Sequence, residues 1–98
     1  MARHVARLND KTMGTCSVHG NDIEGKIVTA SPNTFANKRG IARLHDKVEA
    51  SCGHTAVIIT ASPNDKTNKR GTARLNDKVQ GDEYVAKIIT ASPNVSVN

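Results

Sequence analysis

Tryptophan is absent, and Phe35 and Tyr84 are the only aromatic residues in a chain of 98. Aromatic side chains each bury a large area, so a chain this poor in them cannot fill the thick core of a helical bundle. Aliphatic bulk is scarce too: Leu, Ile, Val and Phe together number twenty, close to the share below which chains stay disordered. Three options remain: disorder, a thin β-structure, or a small fold stapled by something other than apolar burial. No run of about 18 apolar residues occurs, which excludes a membrane-spanning helix. The first ten residues, Met1 to Asp10, carry charge but no apolar stretch, so synthesis in the cytoplasm without a secretory signal is expected. There, two cysteines are expected as thiols or metal ligands before a disulfide. A net charge of +5 and a pI near 9.6 favour association with polyanions.

What the chain does have is repetition. Ala-Arg-Leu recurs at 6–8, 42–44 and 73–75, each time followed by Asn or His and then Asp-Lys. Thr-Ala-Ser-Pro-Asn recurs at 29–33, 60–64 and 90–94, each time after two β-branched residues. Asn-Lys-Arg-Gly closes the first two units at 37–40 and 68–71, while the third stops at Val95-Ser-Val-Asn98, before that turn. The units are therefore about 6–40, 41–71 and 72–98 within a single domain over 1–98. They diverge between Asp-Lys and Thr-Ala-Ser-Pro-Asn, where the loops hold Met13 to Gly20, Glu49 to His54 and Gln80 to Tyr84. Divergence of this kind concentrates on one face of a repeat fold.

Within a unit the pattern reads strand, loop, strand, turn, and no window has useful helical periodicity, so the expected class is all-β. Ala-Arg-Leu suits a short strand with Leu inward and Arg outward. Ser-Pro-Asn suits a bend or a strand edge. In Asn-Lys-Arg-Gly the glycine is the expected source of positive φ. Three equivalent units can close around an approximate threefold axis or stack as a linear solenoid. Shared apolar positions in all three favour closure, because a solenoid needs atypical caps.

Cys16 and Cys52 each lie nine residues after the Arg of Ala-Arg-Leu, at equivalent loop positions. His19 and His54 follow them closely. Thiolate and imidazole are the donors of closed tetrahedral zinc sites, and each loop can supply one of each. Cys16, His19, Cys52 and His54 are thus the candidate metal ligands, with His45 as an alternative and His4 a weaker one. Plain buried thiols and solvated loop histidines are the competing reading. Cys with His in four-coordinate geometry favours zinc over iron.

Asp10, Asp46 and Asp77, and Ser31, Ser62 and Ser92, occur in every unit. An active site needs differentiated roles, so these residues are expected to cap turns, and no enzyme is expected. Arg7, Arg43 and Arg74, with Lys38-Arg39 and Lys69-Arg70, spread basic charge evenly over the units. Two aromatics cannot form a stacking platform for single strands and no helix can enter a groove, so no nucleic acid is expected. Salt bridges to the neighbouring Asp, or a solvated basic face, account for the arginines.

Ala30-Ser31-Pro32, Asn37 to Gly40, Ile41-Ala42-Arg43 and Leu44-His45-Asp46 together resemble the PAAR repeat. The second unit follows suit through Ala61-Ser62-Pro63, Asn68 to Gly71, Thr72-Ala73-Arg74 and Leu75-Asn76-Asp77. Ala stands where the family has Gly before Ser-Pro, and Asn or His where it has Gly before Asp. The resemblance covers essentially the whole chain. It implies a small pointed pseudo-threefold cone that caps a trimeric β-helical spike of a contractile tail or type VI machine, one tip per trimer. It also implies a virion or baseplate location, transient contact with a target envelope, and a metal near the apex. Carried over residue by residue, the family site makes His19, Cys52 and His54 the firmest ligands, with Cys16 or His45 as the fourth. A stand-alone basic β-repeat that binds an anionic polymer is the alternative function.

Overall fold

Buried and exposed residues alternate along six short strands that curl into a closed barrel in a computed structural model describing residues 3–97. Twelve strands and no helix make up the described residues. They are β1 (Arg3–His4), β2 (Lys11–Cys16), β3 (Gly20–Ile27), β4 (Phe35–Ala36), β5 (Arg39–Gly40), β6 (Lys47–Ala50), β7 (Thr55–Ile58), β8 (Lys66–Thr67), β9 (Arg70–Gly71), β10 (Lys78–Gln80), β11 (Tyr84–Ile88) and β12 (Ser96–Val97). The barrel order is β10-β11-β2-β3-β6-β7, antiparallel throughout. Three hairpins, one per sequence unit, supply it. Their tips share one end, and the chain passes between them at the other.

Inside the barrel, equivalent positions stack in layers. Ile27, Ile58 and Ile88 are wholly buried, as are Thr12, Val48 and Val79. Strand alternation then turns the next residue of each β-branched pair outward, so Val28, Ile59 and Ile89 are exposed. Tyr84 is the one large side chain inside. Its hydroxyl bonds with Thr12 Oγ1 at 2.9 Å and donates to the Ile23 carbonyl at 2.8 Å. Two repeat differences accommodate it. Thr12 stands where the other units have Val48 and Val79, and Gly25 stands where they have Ala56 and Ala86. A Cβ on Gly25 would meet Thr12 Oγ1 at 2.7 Å and the Tyr84 hydroxyl at 3.1 Å.

Below the barrel the three Ala-Arg-Leu segments bond in a cycle. The Ala6 amide donates to the Ala73 carbonyl, Ala73 to Ala42, and Ala42 back to Ala6, at 2.9–3.0 Å. Ala is the residue in that ring because the three segments converge there, and all three alanines are fully buried. The expectation for their neighbours is reversed. Leu8, Leu44 and Leu75 are only half-buried, while Arg7 and Arg74 are buried. The cause is the Asp three residues on. Asp10 accepts from the Arg7 backbone N–H, from its Nε and from its terminal NH2 at 2.7–3.0 Å. Arg43 with Asp46 and Arg74 with Asp77 repeat these three bonds. An arginine so fully partnered can be buried.

Three two-stranded ribbons complete the barrel's far end: β4·β5, β8·β9 and β1·β12. The third joins the two ends of the chain. Arg3 stands where Arg39 and Arg70 do, and each reaches an Asp that already holds the Arg of Ala-Arg-Leu: Arg3 to Asp77, Arg39 to Asp10, Arg70 to Asp46. In β4·β5 and β8·β9 the positive φ falls on Asn37-Lys38 and Asn68-Lys69, the two-residue turn that suits strand twist. Glycine serves another purpose there: a Cβ on Gly40 would overlap the Ser31 carbonyl. Ser-Pro-Asn resolves as a bend, in which Ser31, Ser62 and Ser92 Oγ accept from the amides two and three residues on.

Candidate metal centre

Two of the three hairpin tips carry the thiols and imidazoles. Cys16 ends β2 on its inward face and is buried, and His19 follows in the exposed turn before β3. The β2·β3 register shifts between Gly14 and Cys16, where Asp22 takes φ 58°. This irregularity lets the longer tip fold over the barrel mouth. In the second tip, Cys52 lies in the turn after β6 and His54 just before β7, both half-buried. Gly53 at φ 95° makes that reversal possible, and the Ala50 amide closes it on the His54 carbonyl at 2.8 Å.

The four side chains converge. One donor atom from each of Cys16, His19, Cys52 and His54 lies within 4.8 Å of all the others. Cys16 Sγ is 3.2 Å from His19 Nδ1 and 3.2 Å from His54 Nδ1, and Cys52 Sγ is 3.5 Å from His54 Nδ1. The two imidazole centroids are 5.2 Å apart. A tetrahedral zinc with ordinary bond lengths sets sulfur–nitrogen edges of about 3.6 Å. The donor set and its spacing therefore fit a four-coordinate metal, and the cluster can hold one. Burial opposes ionisation of the Cys16 thiol, but the His19 ring, the Val18 and His19 backbone amides and the Cys52 side chain outweigh it. Together they bring the thiol down to about 6, which favours the thiolate a metal needs.

His45 lies elsewhere. It sits in the turn before β6 at φ 73°, exposed, with its amide on the Ile58 carbonyl. Ile58 is four residues along β7 from His54, so about 13 Å of strand separates that level from the cluster. His4 belongs to β1, in the ribbon at the same far end.

The third tip contributes no ligand but closes the mouth. The Ser17 amide donates to the Glu83 carbonyl at 2.8 Å, and the Ser17 hydroxyl donates to the Glu83 carboxylate. The second tip is tied to the first by the Ser51 amide on the Glu24 carbonyl at 2.7 Å. Sequence reasoning overlooked Glu83. Counting would have found it, because it stands six residues after Asp77, as Cys16 does after Asp10 and Cys52 after Asp46.

No family model matches the chain, and no curated protein matches it. The site is defined by its own geometry and donor chemistry.

Proposed function

We propose that this protein is the tip of the central spike of a contractile injection machine, seated on the distal end of a trimeric β-helix. The observation that carries this reading is the cyclic bonding of Ala6, Ala42 and Ala73. With the ion pairs and ribbons that recur in each unit, it supports a pseudo-threefold body made from one chain. Such a body offers a threefold partner three matching sets of groups, so one docking event makes three registered contacts. The ribbon end suits that base: Val28, Ile59 and Ile89 are exposed at equivalent positions just beyond the barrel. The hairpin tips then form the apex of a cone that meets the target envelope.

At such an apex a metal does what packing cannot. Cys16 and His19 from one tip and Cys52 and His54 from the next would hold a zinc ion, which supplies a rigid cross-link and no reaction. Binding of an anionic polymer finds less support. The arginines it would draw on, Arg7, Arg39, Arg43, Arg70 and Arg74, are all bonded to Asp10, Asp46 or Asp77.

The test is co-purification with a trimeric β-helical spike protein at about 0.5 M salt, which strips complexes that are mainly electrostatic. One chain per trimer and one zinc per chain are expected. Equal retention on any polyanion with no spike binding would overturn the reading.

A further inference from the structure

The metal cluster contains both cysteines of the chain, and they come from different hairpins. Their sulfurs belong to one group of donors within 4.8 Å, and both contact the same ring nitrogen, His54 Nδ1, at 3.2 and 3.5 Å. The two thiols thus lie close together on one ring nitrogen. A disulfide needs sulfurs about 2.05 Å apart. Cys52 is in a turn, half-buried, next to Gly53, so its side chain can swing toward Cys16 without disturbing a strand. Cys16 is fixed by its place in β2, opposite Tyr84 of β11. The link would join β2 to the turn between β6 and β7, the same two elements the metal joins.

We propose that Cys16 and Cys52 form a disulfide that replaces the metal when the protein meets an oxidising environment. The inference rests on the metal-site reading and extends it to what happens after metal loss. A peroxide is the oxidant. One thiolate attacks a peroxide oxygen, breaking the O–O bond, and becomes a sulfenic acid as an alkoxide or hydroxide leaves. The second thiolate attacks that sulfur, the S–S bond forms and hydroxide departs. Two protons from solvent neutralise the leaving oxygens, the two sulfurs have lost two electrons to the peroxide, and the divalent cation is released to water. The imidazoles of His19 and His54 remain as a pair of free bases. The tip is thereby clamped by metal where thiols stay reduced, and by sulfur where they do not.

The experiment treats the full-length, reduced, zinc-loaded chain with hydrogen peroxide in the presence of a chromogenic chelator. The expected result is release of one zinc per chain, in step with a mass loss of about 2 Da. Trypsin should then yield residues 12–26 linked to residues 48–66. A thiol reductant with added zinc should restore the starting mass and metal content. The oxidised, chelator-treated chain should melt above the reduced, chelator-treated one. Cys52→Ser should show neither the mass loss nor the linked peptides, and the wild-type peptide map decides the matter even if that variant folds poorly. A zinc-loaded chain that keeps both thiols, or that gains about 32 Da as a sulfinic acid, overturns the exchange alone. A reduced chain that binds no zinc overturns the metal site and the exchange with it.

Discussion

Tyr84 shows how a single side chain sets its neighbours. Burial pushes its phenol above the ordinary value, and the hydroxyl is held between Thr12 Oγ1 and the Ile23 carbonyl. Tyr84→Phe strands two buried polar groups and should cost about 1–2 kcal/mol. Thr12→Val added to it should recover part of that loss, since Val stands at the equivalent place in the other units. Urea titration of both single variants and the double variant measures the coupling. His45 is the residue-scale contrast. It takes φ 73° where Asn9 and Asn76 take 70° and 71°. Asn tolerates that region well, so His45→Asn should raise stability by about 0.5 kcal/mol. It should leave zinc content unchanged, whereas Cys52→Ser should lose the metal; elemental analysis of the two variants separates a turn residue from a ligand. Asn or His between Leu and Asp was visible in the sequence, and its meaning was conformational: these are residues that can stand in for glycine at positive φ.

Among the elements, the strand–turn–strand order was legible because β-branched pairs and Ser-Pro bends recur at fixed offsets. Which side of Ala-Arg-Leu faces inward was not legible. Alternation alone cannot show that Asp10 absorbs the charge of Arg7, nor that the distant Arg39 and Thr90 reach the same carboxylate. Burial alone would raise the Asp10 pKa, but the bonds from Arg7 and Thr90 outweigh it and hold the carboxyl below its ordinary 3.8. The folded-state pKa is thus lower than the unfolded one. The contribution of Asp10 is complete above the ordinary carboxylate range and is lost as pH falls through the folded value. Acid titration followed by circular dichroism should show stability falling below about pH 4, with a shallower fall in Asp10→Asn. At neutral pH, Asp10→Ala leaves Arg7 buried without its partner and should cost about 3 kcal/mol. The cysteine–histidine cluster was legible for a different reason. Cysteine and histidine are few, and both pairs fall where the units diverge. What spacing could not reveal was the level of each turn along the barrel, which removes His45.

For the whole molecule, the sequence showed three units but left the third unfinished. The structure finishes it with the other end of the chain: Arg3 pairs with Val97 and His4 with Ser96. The Leu75 amide bonds to the His4 carbonyl as Leu8 and Leu44 bond to Gly40 and Gly71. Deleting residues 1–5 removes the Arg3–Asp77 ion pair, the β1·β12 ribbon and Val5 from the smaller apolar cluster with Ala36 and Ile41. The truncated chain should lose about 3 kcal/mol or more, read as a lower urea midpoint. A permuted chain that begins at Lys38 and joins the present ends should keep most of its stability, because Asn37-Lys38 is an exposed turn.

That terminal ribbon also bears on the order of events in folding. β2 needs β11 beside it, and the Ala6 amide waits for the Ala73 carbonyl. Each of these contacts joins the first sixth of the chain to its last third. A ribosome that has released only the first two hairpins has released a sheet with two open edges and no closed ring. Cooperative folding is therefore deferred until the final strands emerge, and the nascent chain depends meanwhile on its short edges and many charges to stay unaggregated.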